Sequence, residues 1–218
     1  MELGEQIDIY CERLDPSFWA EPVNALTNAA FLIAALVCLR LPAVRADWGT
    51  LLLTGILTAI GIGSFLFHTF ATRWALLSDV IPIQLFIFAY VFLATRRFFS
   101  APIWASLIAM ILVVPYSAGL GAVLLPITGP LNGSLGYVPT MILIALYGAA
   151  LLRRSPATAY GLLMGAGLLA LSLFFRTADA PVCGSFPLGT HFLWHMINGL
   201  LLGWMIYVMA AHPRAKGA

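Results

Sequence analysis

The sequence predicts an all-α membrane protein, a bundle of seven transmembrane helices with its N-terminus outside and its C-terminus in the cytoplasm. Composition is the first observation that favours this fold. Of the 218 residues, 61% are hydrophobic and only 9% are charged, and the mean hydropathy is +0.96. A soluble domain carries about a quarter charged residues. A water-soluble fold of this length could not bury so much apolar surface, so we expect the lipid bilayer around the chain and no nucleic-acid partner.

The second observation is the number of apolar segments. Seven runs are long enough to cross about 30 Å of hydrocarbon, and they form one predicted domain, 1–218, with helices near residues 23–41, 49–70, 79–95, 101–119, 136–152, 156–175 and 190–210. Residues 1–22 form an acidic segment that lacks the basic start and long apolar core of a cleaved signal peptide, so we expect the mature protein to keep them. Connections are short, except for a Gly/Pro-rich loop predicted over residues 121–134.

The third observation is the distribution of basic residues. Of the eleven lysines and arginines, eight fall after the first, third and fifth predicted helices or in the C-terminal tail: Arg40, Arg45, Arg96, Arg97, Arg153, Arg154, Arg214 and Lys216. The other side holds Arg13, Arg73 and Arg176. Because cytoplasmic loops are enriched in Lys and Arg, this partition predicts an external N-terminus and a cytoplasmic C-terminus.

Five polar side chains occur where the apolar pattern leads us to expect none. The second helix ends "GSFLFHTF", with Ser64 and His68 four residues apart; the third opens with Asp79 in its first turn; the seventh opens with His191 and His195. Residues four apart share one face of a helix. The second helix ends on the side where the third and seventh begin, so we expect all five at one depth, in the outer half of the membrane.

These residue types predict a catalytic metal site. Three neutral imidazoles with an open fourth position are the ligand set of catalytic zinc, which lowers the pKa of a bound water to about 7. We expect His68, His191 and His195 to bind zinc. We expect Asp79 to act as the base towards the water and as the acid towards the leaving group, and Ser64 to stabilise the oxyanion or orient the substrate.

Simpler interpretations of each residue stay open at this point. Two histidines four residues apart can form hydrogen bonds between helices without any metal. Ser64 alone is typical of a small packing residue. Asp79 alone could cap the third helix, as could Ser78.

The stretches "DIYCERLDPSFWAEPVNALTN", "GSFLFHTF" followed by Asp79, and "GTHFLWH" resemble the alkaline ceramidase family. This family belongs to the CREST group of seven-helix membrane hydrolases, which also includes the progestin and adipoQ receptors. The resemblance spans nearly the whole chain, and Ser64, His68, Asp79, His191 and His195 match the family's ordered motif without a gap. It implies that the three histidines hold zinc, that the Asp and Ser contact the zinc water, and that the activity is hydrolysis of ceramide to sphingosine and a fatty acid.

The resemblance also implies a calcium site in the N-terminal segment. The candidate ligands are Asp8, Glu12, Asp15 and Glu21, helped by Asn24 and backbone carbonyls, because oxygen ligands at this density suit calcium. The match is looser here, since the spacing is shorter than in the animal enzymes and Asp8 aligns only with a one-residue shift. The alternatives are an acidic tail that topology keeps outside and carboxylates that cap the first helix.

The cysteines fit the same topology. Cys11 precedes the first helix and Cys183 follows the sixth, so both are expected on the outer, oxidising side and we predict a disulfide between them. Cys38 lies within the first helix and is predicted to be a buried thiol.

The functional expectation is therefore a zinc-dependent, ceramidase-like hydrolase whose partner is a membrane lipid. The short, Ala/Leu-rich chain favours a bacterial inner membrane, with the site in its periplasmic half. Two alternatives remain open: hydrolysis of a different N-acyl lipid, and a seven-helix lipid sensor or receptor with a structural zinc site. We disfavour a proton or metal transporter because the polar residues gather in one half of the membrane.

Overall fold

The described part of the chain folds into seven helices that are long and apolar enough to cross a membrane, which agrees with the predicted number. The computed structural model describes residues 2–213, and no β-strand occurs in that range. We label the helices α1 (Pro22–Arg40), α2 (Trp48–Phe70), α3 (Arg73–Phe98), α4 (Ile103–Thr128), α5 (Leu131–Leu151), α6 (Pro156–Val182) and α7 (His191–Ala211).

Caps fix the starts of α1 and α2. Pro22, at the first helical position of α1, suits a site where a backbone N–H would have no partner. The Glu12 carboxylate accepts two backbone N–H groups at that end, at 2.7 and 2.8 Å. Asp47 caps α2 by accepting the Thr50 N–H at 3.1 Å, and its carboxylate also binds Arg97 at 2.7 Å. These local bonds set where each helix enters the bundle.

The turn between α2 and α3 is tight and is held by the N-terminal segment. Ala71 ends α2 in the left-handed conformation (φ 46°), and its carbonyl accepts the Ile7 N–H at 2.7 Å. The Arg73 N–H donates to the Glu5 carbonyl at 3.0 Å, and the two side chains form an exposed ion pair. The first residues of the chain therefore lie against the end of α2.

The start of α3 corrects one prediction. The helix begins at Arg73 rather than near residue 79, so Asp79 lies in its second turn and the interpretation of Asp79 as a cap is wrong. The Ser78 hydroxyl does not cap either, since it donates to the Ala75 carbonyl at 2.6 Å. Hydropathy misplaced this boundary because the first turn of α3 carries Arg73 and lies at the end of the bundle.

A glycine allows α2 and α3 to approach closely. A Cβ atom added at Gly63 would overlap the carbonyl oxygen of Ser78, which is backbone and cannot move aside cheaply. Ser64 follows Gly63 on α2, and Asp79 follows Ser78 on α3. The close approach of the two helices therefore brings Ser64 and Asp79 next to each other.

Two further boundaries differ from the predictions. The Gly/Pro-rich stretch 121–134 is not an open loop, because α4 continues to Thr128 and a 3-10 turn begins at Leu131. The sixth helix runs to Val182, so Arg176 and Asp179 belong to α6 and not to the loop after it. Helices extend in this way because an apolar solvent leaves backbone groups no partner outside the helix.

The two ends of the bundle differ. The predicted disulfide joins Cys11 to Cys183 (Cα–Cα 5.3 Å) and ties the N-terminal segment to the α6–α7 connection, while Cys38 is a buried free thiol as expected. The opposite end carries the basic residues Arg40, Arg45, Arg96, Arg97, Arg153 and Arg154. Arg214 and Lys216, the remaining two basic residues predicted on that side, lie outside the described range.

Large apolar side chains cover the outside of the bundle. Val123 and Ile127 on α4 are 64% and 76% exposed, and Ile33, Met164 and Leu200 on other helices exceed half exposure. Exposed apolar surface on this scale is typical of a chain whose solvent is lipid.

We expect Gly63→Ala to destabilise the protein by about 1–3 kcal/mol, because the added methyl group must separate α2 from α3. Gly55→Ala is the matched control on the same helix, since nothing lies within 4 Å of a Cβ there. Thermal unfolding in detergent measures both variants. Equal stability of the two would contradict the close packing at Gly63.

Candidate metal centre

Three histidines from two helices converge at the end of the bundle that carries the disulfide. His68 lies in the last turn of α2, and His191 and His195 lie one turn apart at the start of α7. One ring nitrogen from each lies within 4.8 Å of the others, and each side chain is only 1% exposed. No second group of three His, Cys, Asp or Glu ligands occurs in residues 2–213. The predicted convergence of these three imidazoles is confirmed.

Hydrogen bonds leave one nitrogen of His68 and one of His195 free for a metal. The Nδ1 of His68 lies 2.6 Å from Glu21, so it carries the proton and Nε2 keeps its lone pair. The Thr27 hydroxyl donates to the Val23 carbonyl at 2.8 Å, so it accepts from Nδ1 of His195 at 3.0 Å. Metal-binding histidines are oriented by such bonds at the other ring nitrogen.

Buried ring nitrogens without a partner show that the site fits a cation. The Nε2 of His68 and the Nδ1 of His191 are buried and have no hydrogen-bond partner in the described part of the chain. A buried polar atom in this state costs free energy, roughly 1–3 kcal/mol each. A metal ion bound by the lone pairs would remove that cost, and neutral imidazoles with little carboxylate suit zinc rather than calcium or magnesium.

Glu21 is the centre of a buried polar network behind His68. Its second carboxylate oxygen accepts from Nε of Arg13 at 2.6 Å, and Arg13 also donates to the backbone carbonyl of His68 at 3.0 Å. Burial alone would raise the pKa of Glu21, but His68 and Arg13 outweigh it and hold that pKa below its ordinary value. The carboxylate therefore stays ionised and fixes the ring of His68.

The calcium prediction is not supported. The four predicted carboxylates do not gather into a ligand group within the described residues. Glu12 caps α1, Asp15 accepts the Ser17 N–H at 2.7 Å, Glu21 binds His68 and Arg13, and Asp8 is exposed. The alternative that carboxylates cap the first helix is correct for Glu12. The close spacing of acidic residues in the sequence suggested a shared ion, but it does not show the separate hydrogen-bond partners that Glu12, Asp15 and Glu21 have in the fold.

Ser64 and Asp79 lie together beside the histidines, as predicted. Ser64 precedes His68 by one turn on α2 and is buried, and Asp79 is half-buried. The Asp79 carboxylate interacts with the Ser64 hydroxyl and lies near His68 and the positively charged Arg176. It is not one of the three clustered ligands. A carboxylate in this position can exchange a proton with a water next to the histidines.

Asp179, which the sequence analysis did not single out, holds the start of α7. Its fully buried carboxylate accepts the backbone N–H groups of Thr190 at 2.7 Å, His191 at 2.9 Å and Cys11 at 3.1 Å. Gly189 (φ +66°) has to be glycine, because a Cβ there would overlap this carboxylate. An acid in an apolar run was the signal that could have identified Asp179.

Tyr10 was also missed. Its ring stacks on His191 with 3.6 Å between centroids, and its hydroxyl accepts from Arg176 at 2.7 Å. Burial raises the pKa of Tyr10, so the phenol stays neutral. Nothing in the sequence around Tyr10 distinguishes it from other aromatic residues.

An apolar cavity lies between α3, α5, α6 and α7, and Phe31 of α1 and Ile60 of α2 complete its lining. Its lining begins beside the histidines, at Tyr137, Trp194 and Asn198, and reaches Tyr147 and Met205. Trp194 and Met205 are eleven residues apart, so the cavity extends about 16 Å along α7. An apolar space of this length suits a hydrocarbon chain.

Comparison with known proteins does not assign the chain to a family. The sequence matches no protein-family model, and it matches no curated protein.

We expect Glu21→Gln to weaken zinc binding by about 10–100-fold, because the amide loses the charge that orients His68. A competition titration against a zinc chelator measures the affinity. Glu12→Gln is the matched control, since Glu12 lies in the same segment and caps α1 without touching a histidine. Equal zinc affinities for the two variants would contradict the role given to Glu21.

Proposed function

We propose that the protein is an intramembrane, zinc-dependent lipid amide hydrolase of the alkaline ceramidase type, within the CREST group. One observation carries the proposal. Three buried imidazoles, two of which have an unpartnered ring nitrogen, lie next to Asp79 and beside one end of an apolar cavity. Metal ligands, an acid/base and a place for a hydrocarbon chain are the parts that such a hydrolase requires.

His68, His191 and His195 would hold the zinc ion. Three protein ligands leave a fourth position open, which is typical of catalytic rather than structural zinc. A zinc ion there supplies Lewis acidity and lowers the pKa of a water molecule at the open position.

Asp79 and Ser64 would carry the proton transfer and the charge stabilisation. The Asp79 carboxylate accepts a proton from the attacking water and returns it to the amide nitrogen as the C–N bond breaks. The Ser64 hydroxyl donates a hydrogen bond to the oxyanion that forms from the carbonyl. One water is consumed, and the products are a fatty acid and an amine.

The cavity supports a substrate with a long acyl chain. Trp194 and Phe31 both line it, and their rings lie 6.3 Å from the rings of His191 and His195. A chain lying in the cavity would therefore have its polar end at the histidines. Ceramide, hydrolysed to sphingosine and a fatty acid, is the substrate that the family resemblance favours. The alternatives are a different N-acyl lipid and a lipid sensor that binds without turnover.

We further propose that the chain resides in a bacterial inner membrane, with its N-terminus and its metal centre on the periplasmic side. The basic residues at the opposite end support this orientation, because cytoplasmic connections are rich in arginine. The disulfide at the histidine end supports it as well, since disulfides persist in oxidising compartments.

Purified protein is expected to contain one zinc per chain and to release fatty acid from an N-acyl lipid. His195→Ala should lose both zinc and hydrolysis, because only two imidazoles remain. Asp79→Asn should keep zinc and lose about 10²–10⁴-fold in rate, because it removes the acid/base. Metal analysis and mass spectrometry of released lipids measure the two properties.

The fourth histidine provides the control. His212 lies at the opposite end of the bundle and contacts Thr158, so His212→Ala should keep both zinc and activity. An active, zinc-free His195→Ala would overturn the proposal. Zinc binding without turnover of any lipid would favour the sensor.

The orientation is tested by labelling with a membrane-impermeant maleimide in intact cells. Ser185→Cys, in the α6–α7 connection, should react because that connection faces the periplasm. Ala46→Cys, before α2, should react only after the cells are broken. The opposite labelling pattern would contradict the proposed topology.

A further inference from the structure

Arg176 brings a positive charge to the metal centre that the proposed reaction does not use. It lies on α6, and its Nη1 donates to the Tyr10 hydroxyl at 2.7 Å. The guanidinium carbon lies 5.5, 5.7 and 5.0 Å from the ring centroids of Tyr10, Tyr137 and Trp194. Aromatic faces on this scale of distance favour a cation and fix the plane of the guanidinium.

No carboxylate in residues 2–213 forms an ion pair with Arg176 within 4 Å, and the carboxylate of Asp79 interacts with its charge only at longer range. Its Nε is buried and has no hydrogen-bond partner among the described residues. The paired arginines are different, since Arg13 binds Glu21 and Arg97 binds Asp47. An intramembrane charge is expensive and marks a functional site by default. Tyr10 cannot neutralise it, because a phenol is uncharged at neutral pH.

The guanidinium lies between the cavity and the histidines. Tyr137 and Trp194 line the cavity and also contact Arg176, while Tyr10 contacts both Arg176 and His191. The polar end of a lipid whose chain fills the cavity would therefore lie within reach of Arg176. A guanidinium pairs with a carboxylate through two parallel hydrogen bonds.

We infer that Arg176 binds the carboxylate of an acyl-chain ligand at the metal centre. The inference rests on the proposed function and narrows its substrate class. The carboxylate has two sources: the head group of an anionic N-acyl amino acid, and the fatty acid that hydrolysis releases. A neutral N-acyl lipid offers no carboxylate before the reaction.

Two substrates with the same acyl chain separate the head-group source from the product source. N-oleoylglycine has a carboxylate where N-oleoylethanolamine has a hydroxyl. If Arg176 binds the head group, Arg176→Gln lowers the ratio of kcat/KM for the glycine over the ethanolamine substrate at least tenfold, and Arg176→Lys lowers it less. If Arg176 binds the product, the inhibition constant of oleate rises at least tenfold in Arg176→Gln.

Direct binding keeps this test independent of turnover. Oleate binding to the purified protein in detergent should weaken at least tenfold in Arg176→Gln, and only slightly in Arg73→Gln, whose arginine lies at the same end of the bundle and pairs with Glu5. Thermal unfolding of each variant shows whether it folds.

The inference is overturned if folded Arg176→Gln and Arg176→Lys bind oleate as the wild type does and lower both substrates' kcat/KM equally. That result would make Arg176 a structural cation. A different result separates the two proposals. If the wild-type protein hydrolyses no lipid but binds oleate, and Arg176→Gln loses that binding, the proposed function is refuted and the carboxylate site is supported.

Discussion

Buried imidazole nitrogens without hydrogen-bond partners are the constraint on which the metal end of this bundle depends. His68 and His191 each keep a ring nitrogen out of water with nothing in residues 2–213 to bind it. In an apolar interior such atoms are tolerated where a cation shares them. The packing around these nitrogens holds the end of α2 and the start of α7 at the distance that brings the three imidazole rings together. Gly189 and the Asp179 carboxylate fix the start of α7, and Gly63 sets the close approach of α3, with Asp79, to α2.

The N-terminal segment and the start of α1 orient the three imidazole rings. Each imidazole is contacted by a residue that precedes or begins α1: Glu21 at His68, Tyr10 at His191 and Thr27 at His195. The disulfide and the backbone bonds to the α2–α3 turn hold this segment over the bundle. An acidic stretch that resembles a calcium site is instead, for Glu21 at least, part of the support of the histidines.

Sequence reasoning predicted the features that depend on local pattern. Hydropathy gave seven helices, because a membrane demands apolar runs of fixed length. Successive transmembrane helices cross in opposite directions, so α2 ends on the side of the membrane where α3 and α7 begin. This alternation predicted that Ser64, His68 and Asp79 lie at the same depth as the α7 histidines. Helix ends were less accurate, because α3 and α6 continue past the apolar core through residues that hydropathy reads as loop.

Apart from the Cys11–Cys183 disulfide and the cluster of three histidines, contacts between distant segments could not be predicted. Glu21 was assigned to calcium because its spacing from other acids is visible, whereas its 2.6 Å bond to a histidine 47 residues away is not. Arg176 was counted among loop charges, and the three aromatic rings around it come from three different parts of the chain. The apolar cavity is likewise formed by several packed helices, and the sequence of no single helix indicates it.

X-ray absorption at the zinc edge of the purified, zinc-loaded protein tests the central claim most directly. Three imidazole nitrogens at about 2.0–2.1 Å and one further light atom, with no sulfur, are the coordination shell that convergence of α2 and α7 predicts. A shell that contains sulfur, or fewer than three imidazoles, would contradict it, because the ion would then be bound somewhere other than between these histidines.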